Sequence, residues 1–206
     1  MLVSVHVPKC AGTSFRRILE GLYGNTLWLT YGSVVTRHNA RKEAVPAGTA
    51  CIHGHFFADA FDDVFPGSTL IAWLRDPVER VVSTYYHFLR SPEMHDDTCR
   101  ALIENKLTLV EFAELDWMRN GLTRYLAGKP LEDFAFLGIA ERFSDSLNVF
   151  SRRFCDGRTL AEVRDNTNPD RLADRYAMPR AERDRLLELN KEDVARYQAA
   201  QERLDA

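Results

Sequence analysis

The sequence predicts an α/β protein in which a central parallel sheet carries helices on both faces. Three observations lead there. Short apolar runs alternate along the chain with stretches of helical period. The run at residues 68–74, STLIAWL, is continuously apolar, as a strand covered on both faces must be. Polar and charged residues suited to chemistry follow directly on the apolar runs, where parallel strands of α/β proteins place ligand sites at their C-terminal ends.

Residues 1–7 read as the first strand, and Pro8-Lys9-Cys10-Ala11-Gly12-Thr13-Ser14 follow as a tight loop. Phe15, Ile18, Leu19, Leu22 and Tyr23 then recur at the spacing of a helix with one buried face. Thr13 or Ser14 is the expected helix cap. Such a junction suits an anion. The first helical turn has unpaired N–H groups and the positive end of the helix dipole. Ala11 and Gly12 are small, Thr13 and Ser14 carry hydroxyls, and Lys9 adds a full charge, so a phosphate or sulfate is the expected guest. The loop is not the common nucleotide cradle, in which Lys follows the last Gly; here Lys9 precedes Gly12 and no glycine comes before the lysine in the loop. The plainer alternative is a strand–turn–helix with a solvated lysine.

Residues 25–31 read as a second strand and 32–48 as a polar, basic surface loop holding Arg37, His38, Arg41 and Lys42. That loop is either a solvated connection or a rim that meets an anionic acceptor. Residues 49–52 form a short strand running into His53-Gly54-His55-Phe56, and Phe57, Ala60, Phe61 and Val64 predict a helix before Pro66-Gly67. No third ligand accompanies the two histidines, so they predict no metal site.

The strand at 68–74 delivers Arg75-Asp76-Pro77-Val78-Glu79-Arg80. Asp76 suits a helix N-cap, Pro77 the first helical position, and Glu79 the reciprocal member of a capping box. Val78, Val81, Val82, Tyr85 and Leu89 form the expected buried stripe. Arg75 and Ser83 are not needed for capping, and an arginine fork with a hydroxyl can hold a phosphate. An arginine paired with a nearby acid is the alternative. Beyond a turn after Ser91, short helices are expected to residue 115, a strand at 134–139, a helix capped by Ser144, and a charged helical pair at 179–189 and 191–204. Residues 165–171 are turn chemistry.

A chain of 206 residues with 45% hydrophobic and 28% charged residues suits one domain, residues 1–206, with a true core. A net charge of −3 argues against a general nucleic-acid or membrane surface. There is no charged leader and no apolar run near the roughly 20 residues of a membrane span, so a cytoplasmic location without a membrane span is expected. Cys10, Cys51, Cys99 and Cys155 are scattered free thiols, neither a disulfide framework nor a zinc site. Beside Lys9 and a helix N-terminus, the Cys10 thiol is expected to acidify.

Residues 6–15, HVPKCAGTSF, resemble the 5′-phosphosulfate loop of sulfotransferases that use 3′-phosphoadenosine 5′-phosphosulfate (PAPS). They look most like the carbohydrate branch with the heparan sulfate and uronyl 2-O-sulfotransferases. RDPVERVVSTYYH is similar to the family's 3′-phosphate motif, with serine eight residues after the arginine, and His-Gly-His resembles the 2-O-sulfotransferase pattern. Residues 120–128 resemble an Asn-x-x-Thr-Arg-x-Leu-x-Gly segment near the acceptor cleft, and 138–143 the Gly-x-x-Glu-Arg-Phe stretch. The resemblance implies a P-loop-like three-layer domain and a soluble, bacterial-type enzyme. It implies that Lys9, Cys10, Ala11, Gly12, Thr13 and Ser14 hold the 5′-phosphosulfate, and Arg75 and Ser83 the 3′-phosphate. Arg171 would come from a late loop over the nucleotide. His55 would be the catalytic base, Lys9 the catalytic cation, and His53 and Arg124 would serve the acceptor, a hydroxyl-bearing small molecule or glycan. No metal is required, and 3′,5′-ADP is the product. A P-loop kinase would need a Walker lysine and a carboxylate for magnesium, neither of which is evident; a nucleotide- or glycan-binding module without chemistry is the other alternative.

Overall fold

One parallel sheet organises the chain. Among the described residues its strands are β1 (Leu2–Val5), β2 (Leu27–Val35), β3 (Cys51–Phe56), β4 (Thr69–Leu74) and β5 (Phe134–Ile139), in the order β2-β3-β1-β4-β5. The computed structural model describes residues 1–91, 97–161 and 176–205. The helices are α1 (Gly12–Tyr23), α2 (Pro77–Arg90), α3 (Asp97–Glu104), α4 (Leu109–Ala113), α5 (Gly121–Tyr125), α6 (Phe143–Phe154), α7 (Arg180–Leu189) and α8 (Lys191–Asp205). The expected three-layer α/β architecture is therefore present.

The connection from β1 runs through α1 toward the β2 side of the sheet, whereas that from β4 runs through α2 toward β5. Right-handed crossovers in opposite directions put the two connections on opposite faces. They also open a crevice between β1 and β4, which are direct neighbours. The two motifs with anion-binding chemistry leave the sheet at that crevice.

The core follows from the strand sequences. Val3, Val5, Cys51, Ile52, Ile71, Ala72 and Leu74 are buried, with Phe15 and Phe150 packed edge to face at 5.0 Å against one another. A second apolar cluster joins Val78, Val81, Val82 and Phe88 of α2 to Phe112 and Leu186.

Several elements differ from the sequence expectation. Residues 57–64 are successive turns, not a helix. Their backbone donors are drawn elsewhere: Phe57 N–H bonds to Val35 O (3.0 Å) and Ala58 N–H to Tyr125 O (2.8 Å). β2 extends to Val35 as an edge strand, and β3 extends through the His-Gly-His segment, which lies in the strand rather than after it. In α2 Leu89 is 43% exposed and Phe88 takes the buried place. Asp76 caps α2 as expected, its carboxylate accepting from Val78 N–H (2.9 Å) and Glu79 N–H (3.1 Å). Glu79 does not complete a capping box, because the Asp76 N–H donates to Glu141 Oε1 (3.2 Å). Glu79 is buried and turned to the C-terminal segment, accepting from Tyr176 N–H and facing Arg183 at 3.6 Å. Arg142, not Ser144, occupies the N-cap of α6.

The C-terminal helices are locked to the body by reciprocal caps. Buried Asp193 accepts from Leu122 N–H (2.8 Å) and Thr123 N–H (2.7 Å) at the start of α5. Asn120 Oδ1 in turn accepts from Glu192 N–H (3.2 Å), and Asn190 Oδ1 accepts from Asn120 N–H (3.0 Å). A carboxylate at a helix N-terminus is stabilised by both the orphan N–H groups and the dipole.

Candidate active site at the C-terminal ends of the strands

Between β1 and α1 the backbone of Lys9 (φ 67°) and Ala11 (φ 60°) is left-handed. Holding an L-residue there costs on the order of 1–2 kcal/mol. The alternation coils the loop and turns N–H groups inward, a form that receives anions. Helix α1 begins at Gly12 with Ala11 as N-cap and no side-chain cap, so neither Thr13 nor Ser14 has the capping role expected of it. Phe15 N–H, bonded to Ala11 O at 3.0 Å, shows where the regular helix bonds begin.

Lys9 is half-buried, and burial together with Arg75 and Arg90 lowers its pKa to about 8. Like charges drawn together in a partly dry place disfavour one another, and a negative charge placed there would relieve this. Arg75 Nη1 donates to Lys9 O at 3.1 Å, so the β4 arginine grips the β1 loop itself. Its Nε lies 3.7 Å from Glu141, so the acid-paired alternative is also present. Ser83 is one of the buried polar residues of α2, and its hydroxyl makes no hydrogen bond among the described residues. His87 lies one turn further along, its pKa lowered by burial, Lys9 and Arg90.

Cys10 is fully buried, its Sγ directed to Pro8 O at 3.7 Å. Burial pushes its thiol up to about 12, the reverse of the expected acidification. Only its backbone is left for a ligand.

Beside the loop stands a cluster of imidazoles. His53 and His55 share one face of β3, two residues apart. Gly54 between them is required by a close approach, since a Cβ there would sit 1.8 Å from Thr30 O of β2. His53 is buried, its Nδ1 hydrogen-bonded to Ser4 Oγ at 2.9 Å, and burial takes its pKa to about 3. His55 is more open, its pKa lowered by burial.

The third member, His6, is the first residue of the HVPKCAGTSF motif. Its ring stacks on His53 (centroids 5.1 Å, 13° between planes), meets His55 edge-on at 4.8 Å, and shares a hydrogen bond from Nδ1 with the Tyr31 hydroxyl at 3.0 Å. It also fills the space a Cβ on Gly12 would need, 1.9 Å from that position. Burial, then His53, His55 and Lys9, keep it neutral well below the ordinary histidine range. His6 thus joins the anion loop to the histidine strand. Its period-2 relation to Ser4, which His53 contacts, was the available signal.

Arg124 stands apart from this centre in the contacts it makes. Its guanidinium covers Trp117 at 4.6 Å and donates to Asp116 O at 2.5 Å. Arg37 of the basic loop pairs with Asp63 through two bonds of 2.6 Å. Arg171 lies outside the described residues. Among the described residues no group of three His, Cys, Asp or Glu side chains could hold a metal ion, and no helix is long and apolar enough to cross a membrane.

No curated protein matches the chain. A crystal structure of a sulfotransferase from Alicyclobacillus acidocaldarius is similar in fold, at 17% identity and a TM-score of 0.50, with 96% of this chain and 94% of that chain covered. The family model described as "Sulfotransferase family" matches residues 1–198. A match of that span, over a parallel sheet in which the Lys9 loop and Arg75 meet at one crevice, means that the chain belongs to the sulfotransferase family.

Proposed function

We propose that the protein transfers a sulfuryl group from PAPS to a hydroxyl of a saccharide or glycoconjugate by in-line displacement, with His55 as general base. The observation that carries this reading is the bond from Arg75 to the Lys9 carbonyl, which joins the two anion-binding motifs beside the histidine cluster. PAPS has a phosphate at each end of one nucleoside. A loop with N–H groups and Lys9 suits the 5′-phosphosulfate, and Arg75 with Ser83 suits the 3′-phosphate. The residues therefore fit the group, and PAPS would supply the activated sulfur.

Lys9 and the N–H groups of Ala11, Gly12, Thr13 and Ser14, with the Thr13 and Ser14 hydroxyls, would stabilise the charge that gathers on the departing phosphate oxygen. The Cys10 backbone shapes this turn. His55, neutral near pH 7, would take the acceptor proton. His53, buried behind it, is given a supporting role rather than an acceptor contact, and Arg124, committed to carbonyls and Trp117, the role of fastening its own corner. Arg171 remains the proposed basic residue of the late loop. The saccharide acceptor rests on the likeness of HVPKCAGTSF and His-Gly-His to the 2-O-sulfotransferases.

Calorimetric titration with 3′,5′-ADP, AMP and ATP–magnesium, followed by sulfate transfer from PAPS to a panel of glycans, tests this. Binding that prefers 3′,5′-ADP, with transfer to a sugar hydroxyl, is expected. Preference for ATP–magnesium would support a kinase, and binding without transfer a module without chemistry. Lys9→Ala should reduce turnover far more than 3′,5′-ADP affinity; equal losses would contradict a transition-state role.

A further inference from the structure

Glu141 is a carboxylate beside Arg75 at the crevice, and its presence there calls for a reason. Its Oε1 accepts from the Asp76 N–H (3.2 Å) and lies 3.7 Å from Arg75 Nε, while Oε2 accepts from the Tyr197 hydroxyl at 2.9 Å. Tyr197 comes from α8, the last helix of the fold, and is 8% exposed. The chain of contacts runs from Tyr197 to Glu141, from Glu141 to Arg75, and from Arg75 Nη1 to the Lys9 carbonyl.

Resting on the assignment of Arg75 to the 3′-phosphate, we propose that Tyr197 and Glu141 are positioning residues that hold the Arg75 guanidinium open for that phosphate. Arg75 is gripped on its Nε side by Glu141 and on Nη1 by the loop carbonyl. Nη2 makes no hydrogen bond among the described residues and is the group left to offer. A carboxylate free to turn would form the bidentate fork with arginine and compete with a phosphate for the same donors. Tyr197 prevents this by tying down Oε2, and the Asp76 N–H holds Oε1. The reciprocal caps between Asn120, Asn190 and Asp193 fix α8 and thus fix where the tyrosine hydroxyl stands. The C-terminal helix thereby becomes a working part of a site whose Lys9 loop and Arg75–Ser83 motif lie in the first half of the chain.

The test compares Tyr197→Phe and Glu141→Gln with the unaltered chain and with Arg75→Ala, measuring affinity for 3′,5′-ADP and for 5′-AMP, with melting temperature as the control for folding. The ratio of the two affinities is the readout, because loosened packing alone would weaken both nucleotides together. Tyr197→Phe should lower 3′,5′-ADP affinity about three- to tenfold and leave 5′-AMP affinity unchanged. Glu141→Gln, which keeps an acceptor for the Asp76 N–H but removes the charge facing Nε, should also change the ratio. Equal weakening of both nucleotides by both variants, or an unchanged ratio in both while Arg75→Ala abolishes discrimination, overturns the positioning role alone. An unchanged ratio in Arg75→Ala removes the 3′-phosphate assignment and overturns the positioning role with it.

Discussion

Arg75 and Lys9, 66 positions apart in the chain, meet through a hydrogen bond of 3.1 Å from a guanidinium nitrogen to a backbone carbonyl. That carbonyl belongs to a residue in left-handed conformation, so the arginine braces a strained turn while it contributes charge to the same crevice. Arg75→Lys separates the two jobs, since an ammonium retains charge but lacks the planar fork. The variant should lose about tenfold in 3′,5′-ADP affinity, the scale of one charge-assisted hydrogen bond, and should also lose kcat because the Lys9 turn is no longer braced. Steady-state kinetics with PAPS alongside titration of the product checks this. A loss of affinity at constant kcat would mean that the bond to Lys9 has no part in turnover.

The pH dependence of nucleotide binding should report Lys9. Its pKa of about 8 in the protein alone lies below the ordinary lysine value because of burial and of Arg75 and Arg90. A bound phosphosulfate favours the charged form and raises that pKa. Affinity is therefore full below about pH 8 and falls as pH rises through that value. Between the two pKa values, binding takes up a proton. Calorimetry at pH 8.5–9 in buffers of different ionisation enthalpy measures that uptake as a change in observed heat, and Lys9→Ala should abolish it. Affinity constant from about pH 7 to 9 would contradict the placement of Lys9 against the anion.

The sequence revealed the frame because its signals are local. The apolar runs marked the strands, β5 at its observed limits, and Asp76-Pro77 marked the start of α2 through capping chemistry that needs no distant partner. What escaped was set by tertiary contact. The helical spacing of Phe57, Ala60, Phe61 and Val64 describes a buried face equally well in turns, and the N–H groups of Phe57 and Ala58 bond to β2 and to Tyr125 instead. The expectation for Cys10 rested on its neighbours in sequence and failed because the fold buries it completely. Tyr197 lies in the charged helical pair near the end of the chain, and nothing near it announces Glu141, 56 residues earlier. His6 was hidden within a motif that drew attention to Lys9.

Gly12 should tolerate no side chain while His6 remains. A Cβ there would lie 1.9 Å from the His6 ring, and that ring has no free direction, being stacked on His53 and bonded to Tyr31. Gly12→Ala should destabilise the protein by about 1–3 kcal/mol through overpacking. Thermal unfolding should show this as a loss on the order of 3–10 °C. Combining it with His6→Ala, which vacates the space, should recover part of the loss. Additive damage in the double variant would show that the two residues do not compete for one volume.

The Cys10 thiol should be inert in the folded protein. Its pKa of about 12 leaves almost no thiolate at neutral pH, and its side chain has no exposure. Titration with a coloured thiol reagent at pH 7.5 should detect slow or absent reaction at Cys10 until denaturant is added, with mass spectrometry assigning the sites. Rapid labelling of Cys10 in the native state would show that the anion loop opens to solvent.

His55 should set the acidic limb of the reaction. Burial lowers its pKa, so the neutral, proton-accepting form persists below the ordinary histidine value of about 6.5. Activity should therefore hold at pH 7 and decline only as pH falls below that ordinary value, toward the lowered pKa. Burial lowers the pKa of His53, to about 3, and of His6 as well. His55→Ala should keep 3′,5′-ADP affinity, because the imidazole belongs to β3 and not to the loop or to α2, yet lose about 10²–10⁴ in kcat as a missing general base does. The acidic limb should vanish with it. A variant that turns over normally, or one that retains the same limb, would assign proton removal to another group.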